Sequence, residues 1–495
     1  MTFPIPFRLA LLGSALFFAG CGGGGNDEPV ISGETRAQDT RVYTIAPLSS
    51  TSVYPDYAAG ANGRASFTAL SGHESSSRWA GEMAGSSYRV EVPANWNGEL
   101  VMYAHGYRGT GAAVTTGNPS IRRYLLEKGY AWAASSYSKN YYDVRAGVED
   151  TNALANAFTS IAATNGRTLA APAKTFITGH SMGGHIAAAA IEREAREQAV
   201  NKVNYAGAVP MCGVTGDVEL FNTFTAMQAS AQAVAGVPNS PLANWANVAN
   251  QVNGALWTAF PSAATPSAVP TPTALGEKYV SVVKNLTGGE RPLFRLGLAR
   301  GGSFPSSYGT FGGDGTINGI LNKWGTDTTR TAYLVDGDPA LTATLNSTAQ
   351  RVAAEPTANA LRGDGLRWIP RVNGEFSVPV VAIHTLGDLF VPFNMIQTYR
   401  TRAEAKGNGD RLVTRAIRGI SHCDFTVQEQ AEAFEAMAVW QRGGPKPAGD
   451  DVVTPSVVAD PKYGCTFSRA PVAGTDSATT TALRGLVAQS GATCQ

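Results

Sequence analysis

The chain has 495 residues, 43% of them apolar and only 16% charged, and its 39 basic and 38 acidic side chains leave a formal net charge of +1. That balance excludes the basic footprint of a nucleic-acid binder, and the apolar share excludes disorder of the whole chain. Five cysteines are too few for a small disulfide scaffold.

Residues 1–20 have the make-up of an export signal. Arg8 supplies a positive start, and Leu9 to Ala19 is an apolar run of 11 residues, short of the about 20 that a bilayer span needs. The run closes on Phe18-Ala19-Gly20-Cys21 and leads into Gly22 to Gly25. It resembles a bacterial lipoprotein signal, which implies lipidation of Cys21 and an anchor in a bacterial membrane, the outer one. Secretion after ordinary signal cleavage is the alternative. Residues 21–39 then read as a flexible tether. Either route predicts an oxidising compartment.

Residues 40–85 are rich in Ser, Ala and Gly and read as an extension packed on the main domain. Tyr88 to Val92 alternates like a half-buried strand and stops at Pro93. Leu100 to Ala104 is continuously apolar, as in a buried parallel strand. A helix is expected over 121–128 and a strand over 130–135. A second helix follows over 148–163, with Glu149 and Asp150 in its first turn. A strand at 175–178, a helix from Gly183 through Glu197 and a strand at 205–209 continue the rhythm. This alternation predicts an α/β fold with a mostly parallel sheet between helices. Residues 216–376 break it. It resumes with a strand at 378–383, a strand at 412–417 and a helix at 426–441. The division predicted is a core over 40–215 and 377–442, a mainly helical insertion over 216–376, and a Pro- and Gly-rich C-terminal wrap over 443–495.

Gly179-His180-Ser181-Met182-Gly183 sits between a predicted strand and a predicted helix. G-x-S-x-G there is a nucleophile elbow, in which a tight turn lifts the serine hydroxyl above the sheet. At these residues the chain resembles the α/β-hydrolase superfamily. That resemblance implies the order nucleophile, acid, histidine, with the acid after the next-to-last strand and the histidine after the last. His384 to Pro392 looks like the acid loop and offers Asp388; Asp410, in a Gly-rich turn before the last strand, is the rival. Beyond residue 185 the histidines are His384, which closes a strand, and His422, which follows the last one. The expected triad is Ser181, Asp388 and His422, with His422 as general base and Asp388 orienting it.

The oxyanion donors expected are the backbone N–H groups of Met182 and Tyr107, the latter from a His105-Gly106-Tyr107 stretch that resembles the family's His-Gly motif. Tyr107-Arg108-Gly109 and Ser181-Met182-Gly183-Gly184 look like short stretches of cutinase-type polyester hydrolases. His105 is expected to support its loop by hydrogen bonds. Tyr141 and Tyr142 either line the substrate pocket or pack under a loop.

With Cys21 set aside, four cysteines allow three pairings. Cys212 ends a strand and Cys423 abuts His422, so both belong at one edge of the sheet. Cys212–Cys423 and Cys465–Cys494 are expected. The layout of serine, large insertion, acid and His-Cys is similar to that of tannases and feruloyl esterases. Their bridge to a cysteine before the nucleophile cannot form here, because His180 stands there. No close C-x-x-C pair points to a metal, and no cofactor is expected.

From Leu220 to Gly276, 57 consecutive residues carry no Asp, Glu, Lys or Arg. The stretch holds Phe221, Phe224, Trp245 and Trp257. It reads as an apolar lid, with Trp245 and Trp257 as substrate-binding candidates, or as an ordinary helical subdomain; only the lid places side chains in the cleft. The expected function is a serine carboxylic ester hydrolase acting on apolar or aromatic esters, polyester-derived oligomers among them. The alternatives are a prolyl-oligopeptidase-like peptidase and a non-catalytic binding protein. A small or oligomeric ester is the expected partner, with membrane contact only through Cys21.

Overall fold

In a computed structural model, residues 41–60, 63–311, 321, 324–492 and 494 are described. The export signal, the tether and Cys21 lie outside them. Eight strands form the central sheet: β1 (Ser77–Met83), β2 (Ser86–Val92), β3 (Glu99–Ala104), β4 (Ala131–Ser135), β5 (Lys174–His180), β6 (Tyr205–Met211), β7 (Val380–Thr385) and β8 (Leu412–Ile417). Their order is β8-β7-β6-β5-β3-β4-β2-β1. β1 and β2 pair antiparallel, as do β2 and β4, and every other neighbouring pair is parallel.

The helices of the core are α1 (Arg122–Glu127), α2 (Val144–Thr164), α3 (Met182–Ala189) and α4 (Arg193–Gln198) before the insertion. Strand periodicity explains why both faces of the sheet are covered: successive side chains point to opposite sides. Leu100, Met102, Ala208 and Val380 join one core with Phe158 of α2 and Ile186 of α3. Their neighbours Val101, Val209 and Val381 join a second core with Leu125 of α1 and Phe434 of a later helix. That burial on both sides is why Leu100–Ala104 in β3 and Val380–Ile383 in β7 are unbroken apolar runs.

The insertion joins β6 to β7. It contains α5 (Glu219–Val234), α6 (Trp245–Leu256), α7 (Ala274–Leu286), α8 (Phe294–Arg300), α9 (Phe304–Ser307), α10 (Pro339–Thr348) and a small hairpin of Trp257–Ala259 with Thr271–Pro272. Its two ends are tied together at Asp217, which is fully buried, accepts from Val372 N (3.1 Å) and pairs with Arg402 (2.6 Å). After β7 come α11 (Asn394–Ala405), α12 (Val427–Gln441) and, in the C-terminal stretch, α13 (Pro455–Val458) and α14 (Ala478–Gln489). Among the described residues no helix is long and apolar enough to cross a membrane.

Three local expectations shift. The extension is more than padding, since residues 77–83 form edge strand β1. α2 starts at Val144, four residues early, because Asp143 caps it by accepting from Ala146 N. The helix expected over 183–197 is broken. Glu192 is extended (ψ 158°), and its buried carboxylate accepts from Gly374 N and Glu375 N at 2.9 and 2.6 Å. Backbone from a distant segment outcompetes the helix there.

Candidate active site

Ser181 stands between β5 and α3 with φ 59° and ψ −123°, a strained backbone that a serine adopts only when its surroundings impose it. The surroundings do so through close backbone packing. A Cβ on Gly183 would run into the carbonyl oxygen of Ala104 at the end of β3, and one on Gly179 would meet Gly183 itself. Ser181 N–H donates to Met211 O (3.0 Å) on neighbouring β6. Among the described residues, Ser181 Oγ has no hydrogen-bond partner. The N–H of Met182, the first residue of α3, has no acceptor four residues back within the helix. The β3 loop closes on the same point, since a Cβ at Gly106 would lie 3.1 Å from Ser181 Cβ. Tyr107, next along, lines one cavity with Ser181.

His105 supports that loop. Its ring stacks on Tyr137 at 4.1 Å and its nitrogens lie 2.6 Å from Gly106 O and 3.1 Å from Ser136 O. Burial pushes its pKa down to about 3, so the ring is neutral. His180, before Ser181, sits 2.8 Å from Gln430 Oε1 and is also held neutral by burial, at about 4.

Asp388 follows β7 and is fully buried. One carboxylate oxygen accepts from Phe390 N (2.9 Å) and Val391 N (3.0 Å), and the other accepts from His422 Nδ1 (2.6 Å). In the neutral ring this contact places the proton on Nδ1 and the lone pair on Nε2. His384, the other downstream histidine, donates Nε2–H to Val391 O (2.7 Å) and shapes the acid loop. The rival Asp410 is exposed and pairs with Lys446 at 3.4 Å.

Cys212 and Cys423 are bonded, with Cα atoms 5.3 Å apart, and Cys465 is bonded to Cys494. Cys212, Cys423 and His422 form a cluster with metal-ligand spacing, but its two sulfurs are spent on each other.

The cavity beside Ser181 is about 90 Å³. Its walls include Leu220, Phe221 and Phe224 of α5, Phe390 of the acid loop, and Tyr142; among the described residues none that lines it is charged. Tyr142 is positioned by its hydroxyl, 2.9 Å from His185 Nδ1, and by edge contact with Phe221. Phe390 lies edge-on to the His422 ring at 5.3 Å. Three of the expected pocket residues are elsewhere. Tyr141 lies under the Arg41 guanidinium. Trp257 is buried among Phe260, Tyr279, Phe304 and Tyr308, and Trp245 packs on Tyr308. The tryptophans build the insertion's own core. Ser306 and Thr310, which do line the cavity, carry no sequence signal that sets them apart from other loop hydroxyls.

No family model matches the chain. Over 421 residues it is 23% identical to an o-phthalyl amidase from Xanthobacter agilis, covering 71% of this chain and 84% of that one. Among solved structures it is similar to an esterase from Aspergillus oryzae (12% identity, TM-score 0.40, 75% of this chain and 80% of that one). It is also similar to feruloyl esterase B from Aspergillus oryzae (13% identity, TM-score 0.37, 77% and 84%). The strand order, the strained serine turn after β5 and the loops that follow β7 and β8 give the chain an α/β-hydrolase fold.

Proposed function

We propose that this protein is a serine hydrolase that cleaves carboxylic esters with short, uncharged acyl groups through an acyl-enzyme. The observation that carries this reading is the 2.6 Å bond from His422 Nδ1 to a fully buried Asp388. It leaves Nε2 as a base in a fold whose elbow presents Ser181 in an apolar cavity. Ser181 Oγ attacks the ester carbon as His422 Nε2 takes its proton. The N–H groups of Met182 and Tyr107 receive the oxyanion, and His422 returns the proton to the leaving alcohol. Water then repeats the sequence on the acyl-enzyme.

The cavity narrows the substrate. An apolar cavity of about 150 Å³ takes a benzene ring, whereas this one is about 90 Å³. Phe221 and Phe224 of the insertion stand among its walls, which supports a preference for small acyl groups over aryl or polyester units. The uncharged side chains among the described lining residues favour an acyl group without a second carboxylate. The two disulfides fit an oxidising compartment, which supports export, and Cys21 remains the proposed anchor.

A second reading, hydrolysis of an amide, is favoured by the amidase relative. p-Nitrophenyl acetate, butyrate, octanoate and benzoate, run beside the matching anilides, separate the two. Acetate and butyrate turnover, with fluorophosphonate labelling that is lost in Ser181→Ala, is the expected result. Undiminished labelling and turnover in Ser181→Ala overturns the assignment.

A further inference from the structure

The acid and histidine loops are held from outside by one stretch of the insertion. Gly297 and Gly301 lie four residues apart, on one face of α8 and its C-terminal end. A Cβ on Gly297 would collide with the carbonyl of Gly387 and lie 2.7 Å from its Cα. A Cβ on Gly301 would collide with the carbonyl of Ile420. These are backbone neighbours, which cannot swing aside as a side chain could. Gly387 precedes Asp388, and Ile420 lies two residues before His422.

Hydrogen bonds complete the contact on both loops. Arg291, only 3% exposed, donates Nε to Leu386 O at 2.8 Å. Leu389 N–H donates to Ser303 Oγ (3.2 Å), and Leu389 O accepts from Ser307 Oγ (2.9 Å). Ser421 Oγ donates to Gly301 O (2.6 Å). Asp388 is therefore gripped on both sides, and His422 from the side of Ser421. Among the described residues no carboxylate pairs with Arg291. Its guanidinium meets Gly289 O (2.9 Å) and Thr287 Oγ1 (3.3 Å) and lies over Phe294.

We propose that Arg291–Ser307 is a clamp that sets the Asp388–His422 geometry, with Gly297 and Gly301 as positioning residues for the two loops. This rests on the triad assignment above. Two parts of the insertion then have separate roles, α5 shaping the substrate cavity and α8 holding the catalytic loops still.

The test compares Gly297→Ala and Gly301→Ala with Gly254→Ala in α6, where a Cβ meets nothing within 4 Å. Misplacement by about 1 Å costs roughly 100-fold in rate. The expected result is a kcat on p-nitrophenyl acetate reduced about 10- to 100-fold with KM nearly constant, and a wild-type rate for Gly254→Ala. A second measurement does not depend on turnover. In a Ser181→Ala background, the low-field proton resonance of His422 Nδ1–H shifts or broadens in both variants and stays in place with Gly254→Ala. Where an alanine variant does not fold, Arg291→Met must move that resonance and Arg291→Lys restore it. An unmoved resonance, or a loss confined to KM, overturns the clamp. A resonance that responds in a protein that hydrolyses no ester overturns the proposed function and leaves the clamp standing.

Discussion

Cys423 Sγ lies 3.5 Å from Nε2 of His422, and the same sulfur is bonded to Cys212, one residue beyond β6. A disulfide sulfur has no proton to donate, so it leaves the Nε2 lone pair uncommitted, as the proposed role of His422 as general base requires. The bond also ties the histidine loop to the strand beside the one that carries Ser181. Replacing both cysteines by serine is expected to cost about 3–5 kcal/mol of stability, because the closed loop is long, and to lower kcat. Thermal melts and steady-state kinetics check this; an unchanged melting temperature contradicts it.

The triad assignment makes graded predictions. Ser181→Ala should lower kcat by about 10⁶. Asp388→Asn, which leaves the shape but loses the tautomer control, should lower it by about 10⁴. Asp410→Asn should change nothing, since that side chain is exposed and remote from the pair. Equal losses at Asp388 and Asp410 would sink the choice between them.

Phe224 stands between Phe221 at 6.3 Å and Phe390 at 6.1 Å and narrows the cavity. Phe224→Ala should raise kcat/KM for octanoate relative to acetate. Each methylene newly accommodated is worth about 0.8 kcal/mol, or roughly fourfold. A chain-length profile that keeps its wild-type shape shows that the acyl group lies elsewhere.

Arg484 of α14 is buried between two carboxylates, donating to Glu429 Oε2 at 2.9 Å and lying 3.6 Å from Asp424. Asp424 is two residues past His422. Arg484→Met strands both charges and should destabilise the protein by about 3–5 kcal/mol. Glu429→Gln in the same chain should restore part of it, as read by urea denaturation. No restoration would mean that Arg484 acts by packing alone.

Burial holds His105 and His180 neutral, with pKa values of about 3 and about 4 against 6.5 when exposed. Between those limits the unfolded chain binds more protons than the folded one. Stability is therefore fully present above about pH 6.5 and falls as pH drops towards 4, by about 1.4 kcal/mol per pH unit for each proton. Denaturation series at pH 4.5 and 6.5 measure the slope, and His105→Gln should flatten it. A slope unaltered by that substitution assigns the acid sensitivity to other groups.

Much of this fold is legible in the residues. Leu100–Ala104 in β3 and Val380–Ile383 in β7 are continuous apolar runs because both faces are covered, and helices alternate with strands because parallel neighbours need crossovers. The edge strand β1 was hidden, since Ser77–Met83 carries mixed side chains and takes its identity from pairing with β2. The aromatic residues of the insertion were harder still. Nothing in a stretch without charges marks which ring faces Ser181, and Trp245 and Trp257, the largest side chains of that stretch, serve the insertion's own core.

The sequence by itself determined the strand-and-helix rhythm, the turn that must bend sharply at Ser181, and the chain order of Ser181, Asp388 and His422. Those properties reside in residue type and short spacing. Tertiary structure alone decided that Phe221 and Phe224 wall the cavity, that Glu192 ends its helix early, and that Gly297 and Gly301 lie against Gly387 and Ile420. Each depends on a partner about 90 residues away or more, or on which face of a helix meets the core. Local periodicity carries no record of such a partner; only the packed chain brings it into contact.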